Sequence, residues 1–186
     1  MVQQVHNALW RRIDTPGHDA CRLVIDEFGW SLDGAAVFQH DGEPVQLQYH
    51  LEGDKSWRTE RGSVHGFVAA VRIDVKVERS AAGAWTMNGH AVEGLDDCEH
   101  LDFSFTPSTN VPHFRRLELA GLESADVPVA WLDLPLTALT RLPQRYTRRT
   151  ATTYWYEAPT VGYAAELELS PSGFVRTYPG LWAALE

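Results

Sequence analysis

The strongest constraint on this chain is a period-two alternation of apolar and polar residues that recurs along its length. Val45, Leu47, Tyr49 and Leu51 alternate with Gln46, Gln48, His50 and Glu52. A longer run sets Phe67, Ala69, Val71, Ile73, Val75 and Val77 against Arg72, Asp74, Lys76 and Glu78. A third sets Val161, Tyr163, Ala165, Leu167 and Leu169 against Glu166 and Glu168. Successive side chains of a strand point to opposite faces, so each run predicts a half-buried strand. Shorter strands are expected near Leu9–Ile13, Cys21–Phe28, Leu101–Thr106, Val129–Leu134 and Phe174–Tyr178. Arg145–Glu157, rich in threonine and aromatics, reads as one more.

Turn chemistry falls between these runs. Asn88-Gly89, between Trp85-Thr86-Met87 and His90-Ala91-Val92, is a two-residue hairpin signal. Asp41-Gly42, Gly53-Asp54, Ser80–Gly83 and Ser170–Gly173 mark other connections. Helices are scarce: Pro135–Leu139 and Leu181–Leu185 are each expected to make one short turn of helix, too little to cover a sheet. Strands without covering helices must bury their apolar face on another sheet or on themselves. The expected fold is therefore all-β, one domain over residues 1–186, with a barrel-like or half-barrel antiparallel sheet.

Composition narrows the function. The 186 residues, with 44% apolar and 22% charged, suit one globular domain. A net charge of −9 repels polyphosphate, so nucleic acid is not an expected partner. The N-terminus has no apolar signal core and the chain no apolar run long enough to span a bilayer, so a cytoplasmic protein without a transmembrane segment is expected. Two cysteines, Cys21 and Cys98, do not make a disulfide scaffold.

No complete catalytic signature is present. There is no G-x-S-x-G elbow and no phosphate-binding glycine loop, so no nucleotide or other cofactor is expected. The densest polar cluster is Asp96–Asp102; on a strand, Cys98, His100 and Asp102 would share a face and offer zinc ligands. No second ligand pair stands at metal-binding spacing, and the plainer reading is a polar turn entering a strand whose Leu101, Phe103 and Phe105 are core. Arg141, Arg145, Arg148 and Arg149 form a basic stretch, read either as a partner-docking edge or as a charged edge that resists aggregation. Seven tryptophans and six tyrosines offer apolar bodies with polar tips, suited to an amphiphile or a sugar, or simply to a β core. Tyr146, Tyr154 and Tyr156 share parity and are expected on one face.

Thr106–Leu117 reads as a strand leaving a turn pinned by Pro107 and Pro112, with Arg115 and Arg116 pointing to opposite faces. One of these arginines, directed inward, would need an acid such as Asp102. This segment resembles the bacterial family of putative glycolipid-binding proteins, formerly a family of unknown function. Further matching pieces are Cys21-Arg22-Leu23, Asp54-Lys55-Ser56-Trp57, Gly83-Ala84-Trp85 and Asp97–Phe103. Gln144-Arg145-Tyr146, Gly173-Phe174-Val175 and Tyr178-Pro179-Gly180 follow in order, so the resemblance covers nearly the whole chain. It implies a barrel-like all-β domain similar to bacterial carriers that hold the acyl chains of lipids and lipoproteins in a half-barrel.

The combined expectation is a non-catalytic protein that holds an amphiphile, a lipid or glycolipid, in the concave face of its sheet. Tyr49, Trp57, Tyr146 and Tyr154 are expected to contact chain or sugar. Arg22 or Arg116, with Asp102 as counter-charge, is expected to meet a polar headgroup, with Asn110 and Gln144 as further ligand-binding residues. The alternatives are an enzyme with a pocket inside the barrel, using Cys98, His100 and Asp102, and a protein-interaction module using the Arg145–Arg149 edge.

Overall fold

A computed structural model describes residues 3–117 and 124–185. Among these residues seventeen strands form two sheets, joined by a single short α-helix. The long meander comes first: β1 (Gln4–Arg12), β2 (Gly17–Ile25), β3 (Gly29–His40), β4 (Glu43–Asp54), β5 (Thr59–Val68) and β6 (Val71–Arg79). The short hairpin β7 (Trp85–Met87) and β8 (His90–Val92) follows, then β9 (Leu101–Phe103), α1 (Val111–Arg116), β10 (Ser124–Asp126), β11 (Val129–Leu132) and β12 (Leu139–Leu142). The chain closes with β13 (Arg145–Arg148), β14 (Thr153–Ala158), β15 (Tyr163–Leu169), β16 (Val175–Tyr178) and β17 (Trp182–Ala184).

The large sheet is antiparallel, in the order β10-β13-β14-β15-β16-β17-β1-β2-β3-β4-β5-β6-β7-β8, and among the described residues its end strands do not pair with each other. The sheet is thus open, and the half-barrel form of the expectation holds rather than closure. β1 sits mid-sheet because β17 pairs along it, with Trp10 opposite Ala184 and Arg12 opposite Trp182. This pairing also corrects the helix expected at Leu181–Leu185: an unpaired flank on β1 takes that segment as a strand. Pro135–Leu139 likewise forms no helix. Leu136 has a φ of +68°, which breaks the helical repeat before β12 begins at Leu139.

A second sheet, β12-β11-β9, lies against the inner face of the first, with β9 parallel to β11. One buried cluster joins Trp10, Leu23, Leu47, Val64 and Trp85 of the large sheet to Leu101, Phe103 and Leu132 of the small one. Complete burial of side chains this large stabilises by roughly 1.5–3 kcal/mol each. A second cluster sets Phe114 of α1 among Tyr146, Tyr154, Tyr156 and Leu167. The small sheet and helix therefore fill most of the concave face that was expected to hold ligand.

The strand periodicity is observed with two informative exceptions. β4 is as expected, with Val45, Leu47, Tyr49 and Leu51 buried. The run from Phe67 to Val77 is two strands, not one, joined by a tight turn at Ala69-Ala70 that places Val68 opposite Val71. A two-residue turn keeps opposed residues on one face, so the parity reverses across it. Val64 and Val68 face inward with Ile73, Val75 and Val77, while Phe67 lies opposite Arg72 and is 39% exposed. Arg145–Glu157 is also a hairpin, turned by Thr150, whose hydroxyl accepts from the Thr152 and Thr153 amides. The Asn88-Gly89 and Asp41-Gly42 hairpins form as expected, with both central residues of each at positive φ.

The Thr106–Leu117 segment is helical rather than extended. A 3-10 turn at Ser108–Asn110 leads into α1. Pro112 stands in the first helical turn, where its fixed φ is already helical and its missing N–H would have no intrahelical partner. The proline that argues against a ladder strand thus fits a helix start.

Among the described residues no helix is long and apolar enough to cross a membrane.

Candidate functional site

Between the small sheet and strands β14–β17 of the large one, a groove of about 280 Å³ remains open. Tyr156, Tyr163, Tyr178, Trp131 and Trp182 are among its walls with Phe103, and Asp102, Asn110, Thr106 and Ser104 are among its polar lining residues. Sheet geometry assembles the aromatic side: the Tyr156 and Tyr163 rings lie 5.9 Å apart, Tyr163 and Tyr178 5.3 Å, and Tyr156 and Tyr178 5.8 Å. Such offset and edge contacts hold each ring in one orientation. Tyr163 is further fixed by its hydroxyl, which donates to the Pro179 carbonyl at 2.7 Å. Across the groove, Trp131 of β11 lies in register with Asp102 of β9.

The polar end is tightly specified. Asp102 accepts from Thr109 Oγ1 at 2.6 Å and from Gln144 Nε2 at 2.8 Å. Gln144 Oε1 then accepts from Tyr146 Oη at 3.0 Å, and Tyr146 Oη accepts from Asn110 Nδ2 at 3.1 Å. A carboxylate has about four lone-pair sites, so Asp102 retains acceptor capacity beyond these two bonds. Behind Thr106 lies a second buried network. Thr106 Oγ1 donates to Asp19 Oδ2 at 2.5 Å, Tyr49 Oη donates to the same carboxyl at 3.0 Å, and Ser108 Oγ donates to Tyr49 Oη at 2.9 Å. Burial pushes the Asp19 carboxyl up from 3.8 to about 7, against the opposing hydrogen bonds from Thr106 and Tyr49.

Of the residues singled out from sequence, Asp102 and Asn110 line the groove. Gln144 and Tyr146 stand directly behind them as hydrogen-bonding supports. Tyr49 is one layer further back, bonded to the network that holds Thr106. Tyr154 shares a face with Tyr146 and Tyr156, as parity indicated, but packs on Phe114 with ring centroids 5.0 Å apart and is not in the groove wall.

Three of the expected residues lie outside the groove. Arg22 is exposed between buried Cys21 and Leu23, so it lies on the outer face of β2, away from the groove. Trp57 is at a different place, stacked on Trp30 at 5.9 Å with the Arg115 guanidinium 5.7 Å from its ring. Arg116 does not meet Asp102: its acid is Glu99, which accepts from Arg116 Nε at 2.6 Å, and the Ser56 carbonyl takes Arg116 Nη1 at 3.0 Å. Helical rather than extended geometry at α1 sends Arg115 and Arg116 to these partners.

Cys98, His100 and Asp102 do not share a face either, because β9 begins only at Leu101. Cys98 is buried, its thiol directed to Asp97 Oδ1 at 3.8 Å; the His100 ring packs on His113; Asp102 faces Thr109 and Gln144. Among the described residues no group of three or more His, Cys, Asp or Glu side chains is arranged to hold a metal ion. The basic stretch is not a bare edge, since β10 covers β13 and Arg145 pairs with Asp126 at 3.1 Å.

A family model described as "Putative glycolipid-binding" matches residues 7–184. The chain belongs to this family. Its structure is also similar to the crystal structure of a DUF1089-family protein from Pseudomonas aeruginosa. The TM-score is 0.76 over 100% of this chain and 93% of that one, at 24% sequence identity, a likeness of fold. No curated protein matches. Trp131, Tyr156, Tyr163, Tyr178 and Trp182 line the groove without being expected ligand contacts from sequence. Two signals pointed toward them: Tyr163 has the inward parity of its run, and Tyr178 opens the Tyr178-Pro179-Gly180 motif.

Proposed function

We propose that this protein is a non-catalytic binder of an amphiphile, a lipid or glycolipid, and that the groove between the two sheets is its site. The whole chain would act as one glycolipid-binding domain. The observation that carries the reading is the composition of the groove: five tyrosine and tryptophan side chains, with Phe103, line it together with Asp102, Asn110 and Thr106. Aromatic faces accept either an alkyl chain or the apolar face of a sugar ring, and fixed acceptors orient hydroxyls.

Size limits the ligand. About 280 Å³ lies just below the range of small-molecule pockets, which run from about 300 to 1,000 Å³. The groove takes one sugar ring or a short chain segment, so a two-chain glycolipid would insert only a part of itself. The buried supports behind Asp102 and Asn110 hold these groups in place before ligand arrives, which lowers the ordering cost of binding.

Calorimetric titration with alkyl glycosides of increasing chain length, each below its micelle concentration, tests the proposal. Saturable one-to-one binding is expected, weakened roughly two- to thirteenfold by Trp131→Ala, the range for one aromatic contact of about 0.5–1.5 kcal/mol. No saturable binding across the series, or an unchanged affinity in the variant, would refute it.

A further inference from the structure

Tyr146 joins the groove to a second feature that the amphiphile reading does not use. Its hydroxyl has one proton, and that proton goes to Gln144 Oε1. The orientation of the Gln144 amide is itself fixed, because its Nε2 donates to Asp102. Tyr146 Oη can therefore only accept from its remaining neighbours, Asn110 Nδ2 and, at 3.2 Å, His113 Nδ1. The proton of His113 is thus on Nδ1, and its Nε2 is a bare acceptor. That Nε2 is buried and has no hydrogen-bond partner.

His100 packs against His113, ring centroids 4.7 Å apart and planes tilted by 51°. Its Nδ1 is also buried and unpartnered, and the side chain is 3% exposed. Two unsatisfied buried nitrogens on contacting rings are costly unless something bonds them. Both rings line a cavity of about 570 Å³, separate from the aromatic groove, whose rim carries Asp97, Glu99 and Arg116. Burial holds both imidazoles below their ordinary pKa, so neither ring presents a charge to the cavity. The rim charges are already matched: Glu99 accepts from Arg58 Nε at 2.8 Å and from Arg116 Nε, and Asp97 accepts from Arg141.

Neutral imidazole nitrogens of this kind are complementary to an alcohol. A hydroxyl can donate to His113 Nε2 and, with the His100 proton on Nδ1, accept from that ring as well. We propose that this cavity is a second binding site, for a neutral polyhydroxylated molecule, a free sugar or a sugar headgroup, held by His113 and His100 at its floor and by Glu99 and Arg116 at its rim. The site shares no lining residue with the groove and does not depend on the groove binding anything.

Histidine-selective ¹⁵N labelling of the full chain provides the test. Long-range ¹H–¹⁵N spectra should show His113 as the Nδ1–H tautomer. Addition of methyl glucoside, methyl mannoside or myo-inositol should shift His113 Nε2 and His100 Nδ1 saturably. A shift with these probes assigns the site to a free sugar or polyol; a shift only with octyl glucoside assigns it to a sugar headgroup. His113→Phe should weaken that binding about tenfold, the loss expected for one hydrogen bond. Three results overturn the proposal: an Nε2–H tautomer, ring nitrogens that respond to none of the probes because a trapped water satisfies them, or unchanged affinity in a folded His113→Phe. The wild-type spectra decide the matter even if the variant does not fold. Calorimetric binding of octyl glucoside with no shift at either histidine would overturn this site while leaving the groove intact.

Discussion

Asp19 is the most consequential buried charge behind the groove, and replacing it with asparagine has a calculable effect. Its carboxyl is fully buried on β2, with hydrogen bonds from Tyr49 and Thr106 and no ion-pair partner among the described residues. Burial raises it from 3.8 to about 7. The folded state therefore binds the proton more tightly than the unfolded chain does. Its contribution to stability is fully present below about pH 4 and is lost as pH rises through about 7. The rise, at 1.36 kcal/mol per pH unit, amounts to about 4 kcal/mol. His113 works in the opposite direction: burial lowers it from 6.5 to about 4, so its contribution grows between those pH values. Asp19→Asn leaves that histidine in place, so it cancels in the comparison of variant with wild type. Asparagine has nearly the same shape and cannot ionise. Urea denaturation of both proteins from about pH 4 to about pH 8 should show the variant gaining on wild type by about 4 kcal/mol across the range. A stability difference that stays flat with pH would refute the reasoning.

Other perturbations follow from the same packing. A Cβ at Gly34 would stand 2.1 Å from Tyr49 Cζ, so Gly34→Ala should push that ring off Asp19 and cost about 1–3 kcal/mol in urea unfolding; a neutral effect would mean that β3 shifts freely. Tyr146→Phe strands Gln144, Asn110 and His113 at once and should destabilise by about 2 kcal/mol or more, visible as a lowered Tm. Asn88→Val puts a β-branched residue at a φ of +51° in the β7–β8 turn and should cost about 1–3 kcal/mol, whereas Asn88→Gly should cost less.

The fold was legible wherever alternation and turn chemistry agreed. β4 ends on one side at Asp41-Gly42, a pair that tolerates positive φ, and the burial of Val45, Leu47, Tyr49 and Leu51 follows from period two alone. The β5–β6 hairpin was hidden because its turn is Ala69-Ala70, with Ala69 at a φ of +51° that alanine rarely adopts. Without a turn signal the run reads as continuous, which places Phe67 on the wrong face. The turn at Thr150 was masked in the same way, by residues that also favour strands. At the site, Asp102, Asn110, Gln144 and Tyr146 were found as polar or aromatic residues within motif-like segments. Their assembly depends on contacts across up to 42 positions, such as Gln144 with Asp102, which no local pattern encodes. Trp182 and Tyr178 reach the groove because β16 and β17 pair in the middle of the sheet, an outcome of the N- and C-terminal strands meeting.

The most direct test of the amphiphile reading is to map where a short-chain ligand sits. Side-chain NMR of the aromatic residues, recorded while octyl glucoside is titrated below its micelle concentration, gives that location. The account predicts saturable shifts at Trp131, Tyr156, Tyr163, Tyr178 and Trp182, with Trp30 and Trp57 unmoved. Shifts centred on the Trp30–Trp57 stack, or no saturable shift at the five groove aromatics, would contradict it.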